Sequence, residues 1–297
     1  YWEVGATDDR LATGWMGRYL DRVGRPDNPL QGLALDWSLA PSLATGRVPV
    51  ASIDAPDRYD FWARGVWGDV HERMLQAIGK LGALPARGDA ALEMATEAAR
   101  QSWQLYEQLE PFRPVEKDGK EVDPIASPVA YPGGDEAFPR RLAGLAAMIA
   151  AGLPLRCVAL TAPGSYDTHD GQPKELTDGL ALTAASLLAF QRDLEARGVA
   201  DRVLVLVWSE FGRRPQENGS NGTDHGAAGT AFVLGAKASG RMVGEFPGLG
   251  KLDDDDNLLA TSDFRGLYAS LVEDWLGADA EAVIPEARRF ARPAILK

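Results

Sequence analysis

An α/β/α sandwich, with a mainly parallel central sheet covered by helices on both faces, is the fold this sequence predicts. Three observations lead to it. Residues 155–161, 203–208 and 230–234 are short, nearly continuous apolar runs; long segments with helical apolar spacing separate the first two and follow the third; and the intervening loops are polar and glycine-rich. Strands buried on both faces read as unbroken apolar runs, and helices between them supply the crossovers that parallel pairing needs.

The elements can be justified in order. Up to about residue 55 the chain mixes Trp15, Trp37, Gly and Pro with short apolar runs, of which Gly32–Asp36 and Val48–Ala51 read as strands. From Tyr59 to Leu81 apolar residues recur at helical spacing (Phe61, Val66, Val70, Met74, Ile78), and Asp89–Leu109 is rich in Ala, Glu and Gln. Two helices joined through Gly82-Ala83-Leu84-Pro85 are expected, and together with the Pro- and Gly-rich stretch 111–135, read as a long loop, they form a helical insertion over 56–135 within a single domain, 1–297. Helices are expected at 136–151, 175–197 and 262–276. Thr261 or Ser262 can cap the last of these, with Asp263 at its positive end and Gly277 as its stop.

The chain has 297 residues and a net charge of -12. That balance, with no cluster of Lys and Arg, argues against nucleic acid as a partner. The longest apolar stretch, Leu142–Leu155, is too short to cross a bilayer. The single cysteine, Cys157, sits in an apolar run and reads as a small core residue. Asp253–Asp256 reads as a solvated loop, since the ligand spacing of a calcium hand is missing. Trp62, Trp67 and Trp103 read as packing residues, with a substrate-lining role as the alternative.

In open α/β sheets ligands gather beyond the carboxyl ends of strands. Two loops qualify, one after the strand near Leu160 and one after Val203–Trp208. They hold two of the three histidines, each beside an aspartate: Asp167-Thr168-His169 and Asp224-His225. In an extended loop residues i and i+2 point the same way, so Asp167 and His169 can chelate one ion; adjacent Asp224 and His225 need an irregular backbone, which Gly222 and Gly226 permit. Mixed carboxylate and imidazole ligands suit divalent ions, with zinc, manganese, magnesium and calcium all open. Glu210 directly follows a strand and can hold a metal or a bound water, or pair with Arg213 or Arg214. Those two arginines suit a tetrahedral oxyanion, with a surface ion pair as the alternative. The third histidine, His71, reads as a packing or surface residue.

Taken together, Tyr166-Asp167-Thr168-His169, Gln172, Ser209-Glu210-Phe211-Gly212-Arg213-Arg214, Gly222-Thr223-Asp224-His225-Gly226 and Thr261-Ser262-Asp263-Phe264-Arg265-Gly266-Leu267-Tyr268 resemble the DUF1501 family, a bacterial group placed in the alkaline phosphatase and sulfatase superfamily. Thr13-Gly14-Trp15-Met16-Gly17-Arg18 resembles an earlier segment of the same family. The resemblance implies an alkaline-phosphatase-like fold and a metal-dependent hydrolase of phosphate or sulfate esters, small or polymer-linked. Asp167 and His169 would ligate one divalent ion, Asp224 and His225 a second, and Glu210 would be an accessory ligand. It also implies an extracytoplasmic location, and a first strand and nucleophile lying ahead of Tyr1, so that an N-terminal segment or a partner chain completes the fold. The sequence has no histidine after His225, where phosphatases of the superfamily usually supply a late ligand. The alternative reading is a non-catalytic extracytoplasmic binding or assembly protein that keeps the fold.

Overall fold

The structure is a computed structural model that describes every residue except 9, 60–63, 86–87, 118 and 134–136, and the backbone alone at 121. In chain order the elements are α1 (Trp15–Val23), β1 (Gly32–Leu35), β2 (Ala51–Ile53), α2 (Gly68–Gly82), α3 (Ala90–Leu109), β3 (Val115–Lys117), β4 (Lys120–Val122), α4 (Ala137–Ala150) and β5 (Cys157–Ala159). They continue with α5 (Gln172–Ala196), β6 (Val205–Val207), β7 (Gly212–Glu217), β8 (Thr223–Gly226), β9 (Phe232–Leu234) and α6 (Phe264–Ser270). The protein is therefore mixed α/β, and no described helix is long and apolar enough to cross a membrane.

β1 is the middle strand of a three-stranded parallel sheet, with Leu33 opposite Ala51 of β2 on one side and Val158 of β5 on the other. Successive side chains alternate across a strand. Leu33 and Leu35 therefore enter one apolar cluster, with Phe138, Leu142 and Leu145 of α4 and Phe190 and Leu194 of α5. Ala34 enters a second, with Trp15 and Leu20 of α1 and Tyr268 of α6. Helices thus cover both faces of the sheet. β6 alternates in the same way: Val203 and Val205 lie against the first cluster, Leu204 and Leu206 against the second.

The sequence suggests more parallel pairing than forms, because β6 and β9 make a separate two-stranded sheet. β9 returns antiparallel to β6, with Val233 opposite Leu206. A parallel return needs a crossover, usually a helix, whereas residues 208–231 contain only the antiparallel hairpin β7–β8. That hairpin replaces the expected polar loop. The stretch 111–135 is likewise not all loop, because β3 and β4 pair antiparallel across it, Lys117 opposite Lys120. The strand expected at 48–51 starts three residues later, at β2. The first expected helix starts at Gly68 rather than Tyr59; Phe61 and Trp62 fall outside the described residues. Trp67 is 76% exposed and fills no core, while Trp103 stacks on Tyr106 at 5.5 Å. α5 begins at Gln172, three residues before its expected start, with Pro173 in its first turn, where its missing N–H costs nothing. Asp263 itself caps α6, its carboxylate accepting from the Arg265 amide at 2.9 Å, and a π turn over Leu271–Trp275 carries the helix on toward Gly277 at φ 64°.

The Thr-Gly-Trp-x-Gly-Arg segment is structural. A Cβ at Gly17 would overlap the Ala44 carbonyl, so only glycine lets α1 lie against that backbone. Arg18 donates to the carbonyls of Val283 at 2.6 Å and Thr13 at 2.7 Å, and also to Val4.

Two outcomes follow for the folded chain. Gly17→Ala is expected to lower stability by about 2–4 kcal/mol, read as a fall in denaturant midpoint at unchanged slope. Burial pushes the Cys157 thiol up to about 12, so a disulfide reagent at mildly alkaline pH should leave it unlabelled until the protein is denatured; stoichiometric labelling of the native chain would contradict its place in the core.

Candidate functional site

The loop after β5 and the hairpin after β6 meet at one end of the sheet. Arg213 on β7 joins them: its guanidinium donates to the carbonyls of Thr223 and Tyr166, each at 2.6 Å, and lies 3.3 Å from Asp167 Oδ1. Gly222 lets the hairpin close on the loop, since a Cβ there would overlap the backbone of His169. Gln172 at the start of α5 donates to Thr223 Oγ1 at 3.0 Å. Thr168 is buried at 1% exposure, which turns Asp167 and His169 outward together.

Three ligand-type atoms converge there. His225 Nε2 lies 2.7 Å from Asp167 Oδ1, His169 Nε2 lies 3.0 Å from the same oxygen, and the two Nε2 atoms are 3.1 Å apart. Asp167, His169 and His225 are a cluster able to hold one metal ion. The ring of His225 is set by stacking on Phe211, centroids 3.8 Å apart.

Asp224 takes a different place. Thr223–Gly226 is a strand rather than a turn, the irregularity of the hairpin falling between Arg213 and Glu217 on β7, so neighbouring side chains of β8 diverge. His225 meets the Nε2 end of the His169 ring and Asp224 faces its Nδ1 end, Oδ1 at 3.4 Å. A carboxylate behind a ligating histidine fixes its tautomer and orientation. Asn218 ties this arrangement together, donating to the His169 carbonyl at 2.8 Å and to Asp224 Oδ1 at 3.3 Å.

Electrostatics follow from these contacts. The hydrogen bond from His225, helped by His169 and Arg213, holds the Asp167 carboxyl below the usual range. The Asn218 amide, then His169 and the charge of Arg214, do the same for Asp224. Arg214 also acts on Asp253, whose carboxyl is held down chiefly by the Asn257 amide; Asp253 closes the acidic loop by accepting from Asn257 at 2.7 Å. Arg213 is thus committed to the two loops. Glu210 is exposed and forms no ion pair with either arginine among the described residues. His71 lies on α2. Asn218 belongs to the site and stands in none of the motifs, whereas Phe211 and Thr223 stand within motifs that give them no role of their own. For the hairpin that carries them, Asn221-Gly222 was the available signal.

Fold and site together define a mixed α/β protein with an exposed Asp–His–His cluster where the loop after β5 meets the hairpin after β6. Residues 63–273, more than two-thirds of the chain, match the family described as protein of unknown function (DUF1501), and the chain belongs to that family. The match takes in the helical pair α2–α3 and leaves Thr13–Arg18 outside. No curated protein and no solved structure matches the sequence.

Because the Asp224 carboxyl is held below its unfolded value, its contacts favour the fold at pH above the ordinary carboxyl range, and that contribution is lost as the pH falls through the folded value. Asn218→Ala should move the titration midpoint of Asp224 upward, toward the ordinary carboxyl range, in a carboxyl-carbon NMR titration. An unmoved midpoint would remove Asn218 from its electrostatics.

Proposed function

We propose that this protein is a metal-dependent hydrolase of phosphate or sulfate esters on an alkaline-phosphatase- and sulfatase-like scaffold, acting outside the cytoplasm. The observation that carries the reading is the triangle of Asp167 Oδ1, His169 Nε2 and His225 Nε2, with edges of 2.7–3.1 Å. Ligand atoms bound about 2.1 Å from one ion stand roughly 3.0 Å apart on an octahedral face and roughly 3.4 Å apart in a tetrahedron. The three atoms have the spacing of the octahedral face, and a two-histidine, one-carboxylate set leaves positions for a substrate oxygen and water. The residues therefore fit a divalent ion.

When bound, the ion would polarise the ester oxygen and stabilise charge on the leaving group. The chain's own residues prepare the place. Asp167 supplies the negative charge, Asp224 holds the His169 ring with Nε2 turned inward, and Phe211 fixes the plane of His225. Arg213 keeps the two loops in register rather than binding substrate. Arg214 and Glu210 remain the side chains proposed to meet the ester or an attacking water.

A second reading is favoured by one observation: the three atoms already contact one another, and Arg213 balances Asp167, so the cluster is also a self-contained polar network. On that reading the chain is a non-catalytic binding or assembly protein. Metal analysis separates the two. After incubation with zinc or manganese and exhaustive dialysis, the proposed hydrolase retains ion and turns over aryl phosphates or sulfates. His225→Ala should abolish retention, Asp224→Asn should weaken affinity by about 10–100-fold, and lowering the pH should release the ion because ligating imidazoles must be neutral. Unchanged metal content in both Asp167→Ala and His225→Ala would overturn the assignment.

A further inference from the structure

We propose that Trp37, beyond the carboxyl end of β1, is the platform of a saccharide-binding subsite, with the carboxylates of Asp36 and Asp54 beside it to take the sugar's hydroxyls. The indole is 83% exposed. Its backbone is nevertheless fixed: the Trp37 amide donates to Asp36 Oδ1 at 2.8 Å, and the Ser52 hydroxyl of β2 donates to the Asp36 carbonyl at 2.9 Å. The aromatic side chains that follow β5 and β6 at this end are engaged. The Tyr166 hydroxyl bonds Thr183 Oγ1 at 2.7 Å, Trp208 stacks on Trp2, and Phe211 stacks on His225. The Trp37 indole has no ring or hydrogen-bond partner among the described residues.

Its neighbours supply the polar half of the subsite. Leu35 of β1 lies opposite Ile53 of β2, so Asp36 and Asp54, the next residue after each, stand side by side. Arg141 of α4, 8% exposed, donates to Asp54 Oδ1 and to the Asp54 carbonyl at 2.8 Å, and lies 3.6 Å from Asp36 Oδ1. Those contacts use one oxygen of each carboxylate. Oδ2 of each accepts nothing among the described residues, and both side chains remain partly open to solvent. A pyranose has the matching pair of surfaces: a face of C–H groups that lies flat on an indole, and hydroxyl donors around its edge. Other ligands fit less well. An anion would meet two carboxylates against one guanidinium, and an alkyl chain needs a groove, whereas Trp37 stands on a turn. A nucleobase carries its donors along one edge, whereas these acceptors follow two strands about 4.8 Å apart.

The turn also stands where a ligand of the Asp–His–His cluster would extend. Both edges of β1 are taken, by β2 and β5, and the hairpin after β6 packs on the loop after β5 through Arg213, so β6 lies beyond β5. The chain thus leaves β1 toward β2 and leaves β5 toward β6, in opposite directions. Ligands of open α/β sheets lie in the crevice beyond the carboxyl ends where such a reversal falls. Trp37 borders that crevice from the β1 side, and Asp167, His169 and His225 border it from the β5 side. The subsite needs no ion; only the further step, that the sugar it holds carries the ester, rests on the hydrolase reading.

Fluorotryptophan incorporated into the full chain gives the indoles separate fluorine resonances, and Trp37→Phe identifies that of Trp37. The chain, stripped of metal with a chelator, is titrated with mono- to tetrasaccharides, plain, sulfated and phosphorylated, and with adenosine and uridine monophosphates. Saccharides should shift the Trp37 resonance and leave that of buried Trp15 in place. Trp37→Ala should weaken their binding at least about tenfold while Trp37→Phe keeps most of it; the side chain is exposed, so neither substitution threatens the fold. The subsite is overturned if no saccharide moves the resonance, if the nucleotides move it at equal or lower concentration, or if Trp37→Ala binds the same saccharides with unchanged affinity. Turnover of aryl esters by a chain that ignores saccharides would sink the subsite and spare the hydrolase; saccharide binding by a chain that retains no ion would do the reverse.

Discussion

Everything in this molecule is hung on the two-residue period of its inner strands. A strand that must bury both faces sends odd and even residues into different cores, and β1 does this with Leu33 and Leu35 on one side and Ala34 on the other. Once the layer is fixed, α4 and α5 have one face to cover and α1 and α6 the other. Loops can leave only at the ends. The Asp–His–His cluster is a product of this constraint, because the residues leaving β5 and β6 emerge at the same end and have nowhere else to meet.

The layer was legible in the sequence because its physics is local. Apolar runs at 155–161 and 203–208 and the helical spacing of 175–197 are direct consequences of burial. Asp89, which caps α3 by accepting from Ala91 and Leu92, stands where a cap is required. What escaped reading was pairing driven by backbone rather than by side chains. The strands β7 and β8 are written Gly-Arg-Arg-Pro-Gln-Glu and Thr-Asp-His-Gly, with no apolar alternation, because they lie over the loop after β5 rather than in a core. β3, Val-Glu-Lys, is likewise exposed at all three positions.

The site was legible as residue types and not as roles. Asp167 and His169 lie two apart, and their common direction follows from the extended chain. The division of labour between Asp224 and His225 depends on the strand they share and on which end of the His169 ring each one reaches. Arg213 shows the same limit. As a residue type it suits an oxyanion, but two carbonyl oxygens from different loops take its donors. Tertiary contacts decide how a charged side chain is used, and no spacing rule in the sequence carries that information.

Arg18 fixes a matter of time as well as of shape. Its guanidinium holds the carbonyl of Val283 from 265 positions away in the chain, while also holding Thr13 and Val4 beside it. On a ribosome adding roughly 5–20 residues each second, the first turn of α1 waits many seconds before its partner exists. During that interval Trp15 and Leu20 have no Tyr268 to pack against. Contacts of such long range make folding slow and leave the earlier segment open to wrong associations, so the stretch around α1 becomes native only after the residues near Val283 have been made.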